Sequence, residues 1–297
     1  MKILVIGKTG QVARCLADKS KLFPELELVF EEPPELDLTS EASIAASFAR
    51  NKPELVINAA AYTAVDKAED EPDLAMIING TAPGVLAREA KAIGAPILHI
   101  STDYVYEGNL DRRYVEGDPV GPLGVYGKTK LAGEEAVRAE NPDHTILRTA
   151  WVFSPYGGNF VKTMLRLAKD RDVLRVVDDQ HGNPTSAHDI ATALLTIADA
   201  RRKGDQTGKG VIYHFVGGVE TTWCGFTREI FRISKALSGP SAEVEAITTA
   251  DYPTKAVRPK NSRLDCSKIL ADFPMDLDRD IMLQPDVVKA ILDEASV

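Results

Sequence analysis

The sequence predicts an α/β fold, a doubly wound parallel sheet followed by a smaller mixed α/β domain. Three observations carry that expectation. Apolar runs alternate with amphipathic stretches through the first half of the chain. The runs are nearly continuous in apolar residues, as strands buried on both faces are. The first run ends in a glycine-bearing turn that opens a helix.

Ile3–Ile6, Leu26–Phe30, Leu55–Asn58, Ile97–Ile100 and Thr145–Arg148 are the predicted strands of that sheet. Between them, Gln11–Lys19, Ser40–Arg50, Asp73–Ile93 and Tyr126–Glu140 carry helical periodicity. Val173–Val177 and Ser186–Ala200 are expected to continue the rhythm as a sixth strand and its helix. From Trp151 the pattern loosens: "SPYGGNF" precedes a predicted helix at Asn159–Lys169, and "VVDDQHGNPTS" is a polar loop. The expected division gives 1–150 with 172–215 to the first domain, and 151–171 with 216–297 to the second.

Composition narrows the classes of function. The 297 residues are 44% hydrophobic and 27% charged, ordinary for a globular chain that buries a full core. Acids outnumber bases 44 to 35, for a net charge of −9, which argues against nucleic acid or a membrane surface as partner. An anionic small molecule stays open, because a helix N-terminus and a few cations suffice to hold it. Cys15, Cys224 and Cys266 are far apart, without metal-ligand spacing, and suit a reduced cytoplasm. His99, His144, His181, His188 and His214 form no HExxH pattern, so no metal ligand is assigned. The apolar run at the N-terminus is too short for a signal or membrane anchor.

The turn after the first strand reads "GKTGQVA". Gly7 and Gly10 let the backbone approach a bound group closely, and Ala13 stands where a third small residue packs helix on strand. The helix start at Gln11 and Val12 offers free N–H groups and a positive dipole end to a pyrophosphate. Following the first strand of an alternating pattern, this is the loop of a Rossmann-type dinucleotide site. An acid near the end of the second strand would hold the adenosine ribose; Glu31 or Glu32 sits there, and Asp37 and Leu38 follow in "LDLTS". With no arginine in that loop, NAD is favoured, while Lys8 keeps NADP open.

The stretch "YGKTK" places Tyr126 and Lys130 four residues apart, on one face of a helix. A ketone that accepts hydride needs a proton donor for its oxygen. A free phenol has a pKa near 10, and a neighbouring ammonium would make it a better acid.

"GKTGQVA", "NAAAYTAVDKAE", "STDYVYEG" and "YGKTK" stand in an order that resembles the extended short-chain dehydrogenase/reductase superfamily. "NFVKTMLRLAK", "DDQHGNPTS" and "RPKNSRL" narrow the resemblance to its dTDP-4-dehydrorhamnose reductase family, across nearly the whole chain. That resemblance implies NADH- or NADPH-dependent reduction of the 4-keto group of dTDP-4-dehydro-6-deoxy-L-mannose to give dTDP-L-rhamnose. It implies a catalytic triad of Thr102, Tyr126 and Lys130, with Lys130 also on the nicotinamide ribose. Ala59, Ala60 and Ala61 would let the cofactor pass over the third strand. Thr63, Val65, Asp103 and Trp151 fall where the family holds the sugar, and Asn79 where a polar side chain orients the active-site loop. Asn159, at a helix start with Phe160, and Arg258 are candidates for the substrate diphosphate. Some family members dimerise around a metal held by acidic side chains, so a homodimer and Mg2+ enter as expectations without assigned ligands. Dehydratases of the superfamily carry Thr-Asp-Glu where this chain has Thr102-Asp103-Tyr104, which counts against elimination of water. The alternatives are another nucleotide-sugar reductase or epimerase, and a non-catalytic subunit resembling the regulatory subunit of methionine adenosyltransferases.

Overall fold

A computed structural model describes residues 1–275 and 277–294. The first half runs β1 (Lys2–Ile6), α1 (Gln11–Lys19), β2 (Glu27–Glu31), α2 (Glu41–Asn51), β3 (Leu55–Asn58), α3 (Val65–Ala68), α4 (Pro72–Met76), α5 (Ala82–Ala92), β4 (Ile97–Thr102), α6 (Val125–Glu140) and β5 (His144–Thr149). The second half runs β6 (Val152–Phe153), α7 (Phe160–Leu167), β7 (Val173–Val177), β8 (His181–Gly182), β9 (Thr185–Ser186), α8 (Ala187–Arg202), β10 (Val211–His214), β11 (Thr221–Thr222), α9 (Trp223–Ala236), β12 (Glu243–Ile247), α10 (Ser267–Asp272) and α11 (Pro285–Glu294).

Six parallel strands form the main sheet in the order β2-β1-β3-β4-β5-β10. Alternate residues of β1 face opposite layers. Ile3 and Val5 join Leu16 of α1 and Leu194 of α8, whereas Leu4 and Ile6 join Phe48 of α2 and Leu86 of α5. Burial on both faces explains why these strands lack polar alternation.

The strand order reverses between β1 and β3, and ligands of open α/β sheets sit beyond the strand ends at such a point. Register sets the geometry there. Ile6 pairs with both Glu31 and Asn58, so the glycine turn and Ala59 leave the sheet side by side. Thr102 pairs with Thr149, which brings the ends of β4 and β5 out together.

A separate apolar cluster joins Val161 and Leu165 of α7, Leu174 and Val176 of β7, Ile230 of α9 and Val288 of α11. Leu264, Ile269 and Phe273 return to the first core.

Two expectations need correction. Val173–Val177 is not the sixth strand of the main sheet: it pairs in parallel with Glu243–Ile247, and Val211–His214 takes the sixth place. Its side chains alternate between buried and exposed, because only one face of this small sheet is covered. The expected single helix over Asp73–Ile93 is interrupted by a π-helical turn at Ile77–Thr81. The Asn79 side chain leaves that turn to hold the Tyr62 backbone.

Among the described residues no helix is long and apolar enough to cross a membrane.

Candidate functional site

A cleft of about 1330 Å³ opens beyond the strand ends and is lined from the main sheet and from the separate apolar cluster. It exceeds the roughly 300–1,000 Å³ of a pocket for one small ligand.

One end is built by the glycine turn. Gly7 has φ +102°, a conformation that favours glycine, and its N–H donates to the Glu31 carbonyl at 2.8 Å. The carboxylate of Glu32 accepts from the N–H groups of Lys8 (3.1 Å) and Thr9 (3.0 Å) and from the Thr9 hydroxyl. Desolvation opposes ionisation of Glu32, but these donors outweigh it and hold its carboxyl below the usual range. Helix α1 starts after Gly10 with no side-chain cap and no acid in its first turn. Open space stands where a Gly10 side chain would project, and Gly10, Gln11 and Val12 at the start of α1 line the cleft. That cradle fits a dinucleotide pyrophosphate.

Gly7, Gly10, Gln11, Val12, Asp37 and Leu38 all line this end. Of the two acids considered for the ribose, Glu31 is turned inward, accepting from Arg50, Ser47 and Asn51. Glu32 stays on the rim, and Asp37 accepts from the Thr39 N–H at 2.8 Å. Ala59, Ala60 and Ala61 continue the floor; the Asn58 side chain accepts from the Ala60 N–H.

The middle of the cleft gathers Thr102, Asp103, Tyr126 and Lys130. Thr102 ends β4, accepts from the Tyr104 N–H at 3.2 Å and donates to Asp103 Oδ1 at 3.0 Å. Tyr126 lies in the first turn of α6, which presses close because Gly127 sits directly on the Tyr104 carbonyl, with no room for a Cβ. The Tyr126 ring meets Tyr104 edge to face at 5.3 Å. Burial pushes the Tyr126 phenol up to about 12; a hydrogen bond with Thr102 works in the opposite direction, and Asp103 adds to the rise. One turn on, the buried Lys130 ammonium donates to the Ile100 carbonyl at 2.7 Å, and burial lowers it to about 8.

The sequence predicts that Lys130 eases ionisation of Tyr126. In the structure desolvation dominates at the phenol, which keeps its proton at neutral pH.

Asp103 is 3% exposed; its Oδ1 accepts from Thr102, and the Ser262 hydroxyl acts on the same carboxyl. Burial raises its carboxyl to about 6. Asn79 accepts from the Tyr62 N–H at 2.8 Å and donates to the Tyr62 carbonyl at 3.0 Å and to Thr129 at 3.3 Å. It thereby ties α6 to the loop that carries Thr63 and Val65 along the cleft.

The far end is aromatic. Trp151, at φ +48°, stacks on Trp223, and Phe160 tilts against Trp223 at 4.5 Å. Trp223 Nε1 donates to Gln180 at 3.2 Å. Asn159 is spoken for: its Oδ1 caps α7 by accepting from Lys162 N–H, and its Nδ2 donates to Gln11 and to the Ser154 carbonyl. Arg258 lines the cleft but already makes a two-pronged contact with Asp66, at 2.6 and 3.1 Å. Trp223, Gln180, Tyr252 and Arg171 line the cleft without having been singled out in the sequence. Trp223 carried one available signal, as one of two tryptophans in the chain.

Among the described residues no group of three or more His, Cys, Asp or Glu could hold a metal ion, so nothing supports the Mg2+ expectation.

The family model described as RmlD substrate binding domain matches residues 1–287. A dTDP-4-dehydrorhamnose reductase of Sinorhizobium fredii is 44% identical over 273 residues, covering 92% of each chain. The crystal structure of a dTDP-4-dehydrorhamnose reductase from Clostridium acetobutylicum superposes with a TM-score of 0.87 at 38% identity, covering 100% of each chain. The Bacillus anthracis dTDP-4-dehydrorhamnose reductase in complex with NADP gives 0.84 at 30% identity, covering 99% of each.

Proposed function

The chain belongs to the RmlD substrate binding domain family, and on that premise we propose that it reduces dTDP-4-dehydro-6-deoxy-L-mannose at C4, giving dTDP-L-rhamnose. The observation that carries this is the convergence of Thr102, Tyr126 and Lys130 on one cleft beside an uncapped helix N-terminus. A bound reduced nicotinamide dinucleotide supplies the hydride.

Gly7, Gly10, Gln11 and Val12 hold the cofactor pyrophosphate, with Asp37 and Leu38 toward the adenosine and the Ala59–Ala61 strip below. Glu32 and Asp37 present negative charge at the ribose end, which supports NADH as the preferred form. Tyr126 carries the proton that the sugar oxygen receives as the carbonyl becomes an alcohol. Its raised pKa suits a donor, which must be protonated before the step. With substrate bound, Thr102 turns its one hydroxyl hydrogen from Asp103 to the same oxygen, beside Tyr126. The Lys130 ammonium stabilises the phenolate left after transfer. Asp103 offers a buried carboxyl, already accepting from Thr102, to a sugar hydroxyl. Thr63 and Val65 flank the sugar, and Trp151 packs on it. Arg258 reaches the diphosphate by sharing its guanidinium with Asp66. The Asn159 contact is indirect: through Gln11 and its capping bond it sets the start of α7 beside Phe160.

The test mixes purified protein, NADH or NADPH and the dTDP-keto sugar, and follows loss of nicotinamide absorbance. Formation of a C4 alcohol with the L-manno configuration supports the assignment. No turnover with either cofactor overturns it.

A further inference from the structure

Helix α6 carries a second buried charge that the reaction does not use directly. Glu134 lies one turn beyond Lys130, on the same face, and is 1% exposed. Its carboxylate is fully engaged. Oε1 accepts from the Ser101 hydroxyl at 2.5 Å and from Arg148 Nε at 2.9 Å, and Oε2 accepts from Arg148 Nη2 at 2.5 Å. Ser101 immediately precedes Thr102 on β4, and Arg148 lies on β5. Arg148 is itself fixed from the far side, donating to the Tyr106 hydroxyl at 2.6 Å. That hydroxyl lies 2.7 Å from His214 Nε2, while His214 Nδ1 faces the Tyr114 carbonyl at 3.1 Å. A carbonyl only accepts, so Nδ1 bears the hydrogen and Nε2 accepts from Tyr106.

We propose that Glu134 is the positioning residue of the catalytic pair: it locks α6 against β4 and β5, and its carboxylate is the counter-charge of the Lys130 ammonium. Its catalytic meaning rests on the reductase assignment. Lys130 and Arg148 are two buried cations, and Glu134 is the anion between α6 and the sheet. Lys130 is coupled to Glu134 on its own helix and to His99 on β4, and it shares the cleft with Tyr126 on α6 and Asp103 beyond β4. Those in reach of Glu134 are Arg148 on β5 and Tyr106 beyond β4. Burial pulls Lys130 down, and Glu134, one turn on along the same helix face, opposes it. The Ser101 bond is the mechanical half: it couples the helix bearing Tyr126 to the residue next to Thr102.

Lysine 13Cε NMR of the full chain without cofactor reads the charge directly, the Lys130 resonance being assigned by its loss in Lys130→Met. The wild-type midpoint is expected at about 8. In Glu134→Gln it falls by about one unit or more, and the alkaline limb of the kcat/KM pH profile moves with it. Ser101→Ala leaves the midpoint in place and lowers kcat, separating alignment from charge. Should Glu134→Gln not fold, E134Q/R148M removes the buried ion pair as a unit; the fall expected there is smaller, because losing the Arg148 cation favours the Lys130 charge. An unchanged Lys130 midpoint in whichever variant folds overturns the proposal. If the wild type shows no turnover, the reductase assignment fails while the titration still decides the role of Glu134.

Discussion

The indole of Trp151 lies face to face with that of Trp223, ring centroids 3.5 Å apart and planes inclined by 13°. Trp151 follows β5 and Trp223 opens α9, so one stack joins the two apolar clusters along the cleft. Aromatic pairs contribute about 0.5–1.5 kcal/mol beyond their buried area. Trp223→Ala removes the ring stacked on Trp151, the residue proposed to pack on the sugar. The expected outcome is a KM for the dTDP-keto sugar raised about tenfold with cofactor affinity unchanged. Steady-state kinetics and cofactor titration check both.

Asn79→Ala tests the tie between α6 and the Thr63 loop. It strips the Tyr62 N–H and carbonyl of their side-chain partner. Each partly buried group left unpaired costs about 1–3 kcal/mol. Urea unfolding should show a loss of that order, and the sugar-nucleotide KM should rise more than the cofactor Kd.

Asp103 makes stability pH-dependent. Its carboxyl is raised from 3.8 to about 6, so between those values the folded chain keeps a proton that the unfolded chain has released. Stability therefore falls as pH rises through that window, by about 3 kcal/mol in total, and stays lower above it. Asp103→Asn removes the titration. The variant should be more stable than wild type at pH 7 by a gain that vanishes toward pH 4, as measured by unfolding across pH. Substrate affinity should weaken at the same time.

Thr102→Val removes the hydroxyl that donates to Asp103 and lowers the Tyr126 phenol's pKa. The chemical step should slow on the order of 10²-fold with little change in nicotinamide affinity. A large loss of NADH binding would move Thr102 out of this role.

The layers of the main sheet were legible because both faces of strands such as Ile3–Ile6 are buried and their composition says so. The glycine turn and the Tyr126–Lys130 spacing were legible because their meaning is local. What stayed hidden was the choice of distant partner. Periodicity marks Val173–Val177 as a strand but cannot say that Glu243–Ile247 covers its edge. Asn159, at a helix start, and Arg258 were candidates for the diphosphate, and the sequence did not show what else engages them. The first is occupied by capping and Gln11, and the second is shared with Asp66, 192 positions away. Lys130 and Tyr126 both lie on α6 and line the cleft, yet the balance of burial against charge at that phenol depends on packing no spacing encodes.

The most direct test is Tyr126→Phe in a single turnover with enzyme in excess over the dTDP-keto sugar. If Tyr126 delivers the proton, the rate falls on the order of 10²–10⁴-fold while nicotinamide affinity stays at the wild-type value. A near-normal rate would contradict the assignment of Tyr126 as the acid.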